Sequence, residues 1–158
     1  MATVEVTFTP LPVHVRTARL VATAVARRSG VAESLLDEVR LAVGEACSRA
    51  VEAHLRHCPG QPIRVALTDD DEQFEVVVTD AVPDAEYGVS AVAVAADGSG
   101  AVRSAGPGSG AGLADGEVPL RLPDGVGLAV IAGLADDVRI TPAGSGTSVT
   151  MTWKRRTA

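Results

Sequence analysis

Apolar and polar residues alternate at the start of the chain, with Val4, Val6 and Phe8 on one side, and the pattern stops at Pro10. That alternation predicts a strand. The period then lengthens: Leu11, Val15, Ala18, Ala22 and Val25 recur every three or four residues, as on one face of a helix. Arg27 and Arg28 suit the negative end of that helix, and Gly30 supplies its stop. A second helix is expected from near Ser34, with Asp37 three residues on forming an approximate capping box. Its buried stripe would be Leu36, Val39, Val43, Ala46, Cys47, Ala50 and His54. Glu38, Glu45 and Glu52 share a different face, with Arg49 between two of them, and Pro59-Gly60 ends the helix.

Alternation returns at Ile63, Val65 and Leu67, breaks at the acidic turn Asp69-Asp70-Asp71-Glu72, and resumes at Phe74, Val76 and Val78 up to Asp80. This predicts a hairpin. Residues 81–124 carry eight Gly and ten Ala and hold neither period beyond a short apolar run at Val89–Ala96. A stretch of that length is expected to be a flexible lid or insert. Gly125-Val126-Gly127-Leu128 then leads into a short helix through Leu128, Val130, Ile131 and Leu134. A strand at Val138 and Ile140, a Gly144-Ser145-Gly146 turn and a last strand follow. In the last strand Val149, Met151 and Trp153 should face inward, with Ser148, Thr150 and Thr152 outward. Strand, two helices, hairpin, insert, helix, hairpin predicts an α+β fold: a two-layer α/β sandwich, helices on one face of a mainly antiparallel sheet. The 158 residues suit one domain.

Composition narrows the function classes. Apolar residues make up 46% and aromatics only 3%, so Val, Leu, Ile and Ala must build the core. A net charge of −6 argues against a general nucleic-acid binder, which would show a basic face. No apolar stretch reaches the roughly 18–20 residues of a membrane span, and the N-terminus lacks the basic and apolar regions of a signal peptide. Cys47 and Cys58 stand about 16 Å apart if one helix holds both, too far for a disulfide. Reduced thiols point to a cytoplasmic protein. His54, His57 and Cys58 cluster locally, but no matching ligand pair occurs elsewhere, so no metal site is assigned. Nothing spaces a base and an orienter around Ser48, Ser104 or Ser109 for a nucleophilic triad.

Several segments, taken in order, resemble one family. LDEVRLAVGEACSRAVEAH (36–54) looks like an N-box helix, and VVVTDAVPD (76–84) stands where an Asp-x-Gly box ends a strand. DGVGLAVIAGLADDVRI (124–140) is similar to a second glycine box with its helix, and GTSVTMTW (146–153) to a final Gly-Thr strand. Together they resemble the anti-sigma factor and serine-protein kinase branch of the GHKL (histidine-kinase-like) ATPase superfamily. The resemblance implies a Bergerat-type sandwich with ATP between the long helix and a lid. It also implies binding of a sigma factor and, in many members, Mg-dependent phosphorylation of a serine on an anti-anti-sigma (STAS) partner.

The resemblance assigns roles to individual positions. Glu45 stands at the catalytic glutamate, where a carboxylate acts as general base. On helix spacing alone, it also suits an i,i+4 pair with Arg49 worth about 0.3–0.5 kcal/mol. Arg49 occupies the place of the family's metal-ligating Asn. A guanidinium has donors and no acceptor, so it cannot ligate Mg²⁺. Two readings stay open for it: a fixed cation on phosphate in place of the metal, or a partner for Glu45 that closes the site. Asp80 matches the adenine-reading aspartate, but Val82 replaces the glycine two residues on, and Pro83 follows. A β-branched residue does not adopt the backbone freely available to Gly, and it fills space. Gly125 and Gly127 keep the second glycine box, whose N–H groups at a helix start suit phosphate. Those glycines also suit a plain loop-to-helix turn. Thr147 matches a threonine near the base.

Arg49 and Val82 therefore imply a degenerate site, with ATP and Mg²⁺ binding weak or lost. The expected function is an anti-sigma-like regulator that works by partner switching, binding a sigma factor, an anti-anti-sigma protein, or both. An active ATP/Mg-dependent serine kinase on the same partners is the alternative, and a GHKL scaffold turned to another partner is a third. The acidic composition suits a partner with basic segments. A homodimer through the first strand and helix is what the resemblance suggests.

Overall fold

The computed structural model describes residues 1–82, 126–144 and 146–155. Most of the Gly/Ala-rich insert, with Val89–Ala96, Ser104 and Ser109, and also Gly125, lies outside the described residues. Among the described residues, five strands and three α-helices follow one another as β1 (Ala2–Phe8), α1 (Pro12–Arg28), α2 (Leu36–His57), β2 (Ile63–Asp69), β3 (Gln73–Asp80), α3 (Val126–Leu134), β4 (Asp137–Ala143) and β5 (Gly146–Lys154).

Pro12 opens α1 with its φ already set for a helix, and Leu11 stands just outside as the N-cap. Leu11 was expected on the buried stripe, but as the cap residue it is largely exposed. The stripe instead begins at Val15 and continues through Ala18, Ala22 and Ala26. Gly30, at φ +80°, ends the helix. Its N–H bonds Arg27 O at 3.1 Å while Val31 N–H bonds Ala26 O at 3.0 Å, the paired bonds of a Schellman motif.

A 3₁₀ turn at Glu33–Leu35 leads into α2, closed by Leu35 N–H on Ala32 O at 2.8 Å. The capping box expected at Ser34 does not form; no side chain caps either the turn or the helix. The tight turn brings the chain into the helix by main-chain bonds, and Asp37 pairs with Arg40 instead. All seven residues of the predicted α2 stripe are buried, together with Ala42, Gly44, Val51 and Ala53. The stripe is wider than predicted because α2 packs against α1, α3 and β3.

The sheet runs in the order β1-β2-β3-β5-β4, and every adjacent pair is antiparallel. Asp70 shapes the β2–β3 turn: its Oδ1 accepts from Glu72 N–H at 3.3 Å, and its own N–H bonds Gln73 O at 3.0 Å. Register places Val65 opposite Val78, Val76 opposite Met151 and Phe74 opposite Trp153. These inward residues and the stripes of α1 and α2 form one hydrophobic cluster between the two layers. Trp153, the chain's single tryptophan, is buried beside Phe74 and donates its indole N–H to Leu134 O at 2.9 Å. That bond ties the end of α3 to the last strand.

On β5 the inward positions Met151 and Trp153 are buried as predicted. Ser148 and Thr152, expected to face outward to solvent, are buried as well. β5 is flanked on both sides, by β3 and β4, and Ser148 Oγ lies 2.9 Å from Thr79 Oγ1 on the neighbouring strand. Cross-strand neighbours thus cover polar positions that alternation alone would leave open.

Candidate functional site

Among the polar residues of α2, Glu45, Arg49 and His54 lie along its length toward the site. Glu45 and Arg49 are half-buried one turn apart. Among the described residues the ion pairs are Arg27–Glu33, Arg40–Asp37, Arg64–Glu5, Arg139–Asp137 and Arg155–Asp69. The i,i+4 pair between Glu45 and Arg49 therefore does not form, and Arg49 is engaged elsewhere. Beside them, Gly44 lets α1 come close. A Cβ built there would stand 2.8 Å from Cζ of Arg19, so the guanidinium lies over the glycine. Arg19 also faces Cys47, whose thiol is pushed up to about 12 by burial, an effect the nearby cation only partly offsets. Such a thiol is core filling and not a nucleophile.

The second part of the site is a corner where β3 ends against the start of β5. Asp80 pairs with Thr147 in the strand register, and both are buried. The chain then turns so that Asp80 Oδ1 accepts from Val82 N–H at 2.8 Å, an Asx-type turn. Thr147 Oγ1 donates to Val82 O at 3.2 Å. Val82 is completely buried. Its main chain thus engages an oxygen of the aspartate that the resemblance matches to adenine reading and the hydroxyl of the threonine it places near the base.

Two further residues build this corner, and sequence reasoning gave neither of them that place. Gly146 opens β5, and a Cβ there would overlap the Asp80 carbonyl oxygen and stand 2.7 Å from its carbon and 2.8 Å from Ala81 Cα. Only a glycine lets the two strands approach this closely. The Gly-Thr pair at 146–147 carried that signal. His54 is fully buried, with Nδ1 2.9 Å from Gln61 O and Nε2 2.9 Å from Ala81 N. Helical spacing places it on the buried stripe, but nothing in the local sequence reports a contact 27 positions away. Cys58 stands near the corner too. Its thiol is raised first by burial and then by the Asp80 carboxylate.

Gly127 lies in the first turn of α3, which packs against α2. The structure thus brings Asp80 and Thr147 into one buried corner with His54. It sets Glu45 and Arg49 farther back along the same helix and α3 alongside it. Gly125 falls outside the described residues. Among the described residues no helix is long and apolar enough to cross a membrane.

An antiparallel sheet covered on one face by helices, with a buried Asp–Thr corner beside the longest helix, is the arrangement of a GHKL-type ATPase domain. Residues 8–153 match the family described as Histidine kinase-like ATPase domain, and the chain belongs to that family. No curated protein sequence matches the chain. Membership brings ATP and Mg²⁺ into consideration, and the donor set can be held against them. Glu45 offers a carboxylate, but a guanidinium at 49 offers a metal ion no lone pair.

Proposed function

We propose that the protein is a GHKL-type regulator of the anti-sigma kind. It acts by binding a sigma factor, an anti-anti-sigma (STAS) protein or both in alternation, with weak or absent ATP binding and kinase activity. The observation that carries this reading is the engagement of Asp80 and Thr147 by the main chain of buried Val82. A purine base would have to share the Asp80 carboxylate with Val82 N–H, and it would meet a valine where the family's pattern has a glycine. Arg49, without an acceptor atom, adds a second obstacle at the metal.

The competing reading is an ATP/Mg-dependent serine kinase acting on the anti-anti-sigma partner. Glu45 and the glycine at 127 favour it, since both suit the family's catalytic arrangement. A homodimer is part of the proposal. β1 lies at the sheet edge with Val4 half-exposed, and Val13 and Leu20 stand exposed on α1, surfaces that suit a second copy.

Calorimetry with Mg·ATP on wild type and on Arg49→Asn, together with capture of purified sigma and STAS proteins without nucleotide, separates the readings. The regulator reading expects partner binding without ATP and no measurable heat from wild type. Micromolar Mg·ATP binding with serine phosphorylation of the partner would establish the kinase instead. A gain of binding in Arg49→Asn identifies Arg49 as the obstacle, and silence in both variants points to Val82.

A further inference from the structure

His54 bridges two segments through fixed main-chain groups, so its ring has only one arrangement of protons. Ala81 N–H can only donate, so Nε2 must be the acceptor; Gln61 O can only accept, so Nδ1 must carry the proton. The ring is fully buried and lies at the C-terminal end of α2. Its three attachments are the helix itself, the turn ahead of β2 and the peptide that follows Asp80.

Pinning Ala81 N–H fixes the peptide between Asp80 and Ala81, and with it the direction in which the Asp80 side chain leaves the backbone. The Asx-type bond to Val82 N–H is built on that peptide. Glu45 is nine residues back on the same helix, about 13 Å along its axis. One imidazole therefore fixes the lengthwise position of the helix bearing Glu45 and Arg49 against the end of β3.

We infer that His54 is the positioning residue of the Asp80 corner: through Nε2 it sets where the Asp80 carboxylate and the Val82 main chain stand. The inference rests on the reading of this corner as the place where a purine base would be recognised. His54 touches no reacting group and acts through Ala81.

The two ring nitrogens can be replaced separately. In His54→Gln the amide oxygen falls near the place of Nε2 and keeps the Ala81 bond. In His54→Asn the amide nitrogen falls near the place of Nδ1 and keeps the Gln61 bond. On the ¹³C,¹⁵N-labelled full chain, without nucleotide, hydrogen exchange reads the Ala81 and Val82 amides, and the carbonyl ¹³C shift of Gln61 reads the bond from Nδ1. In His54→Asn the Ala81 and Val82 amides should exchange about tenfold faster, the change expected from losing one hydrogen bond, while the Gln61 carbonyl ¹³C shift stays in place. His54→Gln should show the reverse. Equal loosening at both places in both variants, or at neither, would reduce His54 to a space-filling residue and overturn the proposal.

Wild type provides a check that does not depend on the variants folding. The imidazole ¹⁵N shifts should show a protonated Nδ1 and an unprotonated Nε2, and the opposite tautomer would also overturn it. Tight Mg·ATP binding by wild type would sink the regulator reading but leave the exchange result standing, so the two failures are distinguishable.

Discussion

At Gly146 the approach of β5 to the end of β3 depends on the absence of one methyl group. Any Cβ there would collide with main-chain atoms of Asp80 and Ala81, which cannot swing aside as a side chain could. Gly146→Ala should therefore push the strands apart at this point and lower stability by about 1–3 kcal/mol, the usual cost of overpacking. Denaturant unfolding measures the loss, and chemical-shift changes should centre on Asp80, Ala81 and Thr147; an unchanged midpoint would show that the corner is looser than described. Residues of this kind are partly legible from sequence. Asp80 and Thr147 were found by their place in motifs, and Val82 by its departure from one. His54 could be assigned to the stripe by helical spacing, but its bonds to Gln61 and Ala81 come from the tertiary fold.

Helix ends show what local chemistry decides and what it does not. Gly30 was legible because a left-handed residue after a helix strongly favours glycine, and the φ of +80° follows that rule. Gly30→Ala should cost about 1–2 kcal/mol, the penalty for placing an L-residue in left-handed backbone. Thermal unfolding should show a lower midpoint, whereas an unshifted one would mean that the Schellman turn rearranges without cost. The start of α2 was misread because Ser34 and Asp37 only approximate a capping box, and a 3₁₀ turn satisfies the entry through main-chain bonds. The polar face of β5 was misread for a related reason. Alternation says which side a residue faces, but not whether its strand lies inside the sheet, and β5 has neighbours on both sides.

Strand order follows from connections no sequence pattern encodes directly: β5 inserts between β3 and β4 even though β4 precedes it in the chain. That placement puts Met151 and Trp153 in the middle of the hydrophobic cluster, where they meet the helix layer and the β3 residues Phe74 and Val76. A cluster that includes side chains from α1, α2, α3 and the inner strands cannot lose one layer and keep the other buried, because each layer is the other's only apolar cover among the described residues. Unfolding of the layers should therefore be a single cooperative transition. Trp153 reports the interface from within, since its indole spans β5 and the end of α3, and it is the only tryptophan in the chain. Its fluorescence and the far-UV circular dichroism of the helices should change at the same denaturant concentration and with the same slope. Separate midpoints would mean that α3 and β5 part before the α1–α2 layer melts, so that the Asp80 corner could open while the rest of the fold stays intact.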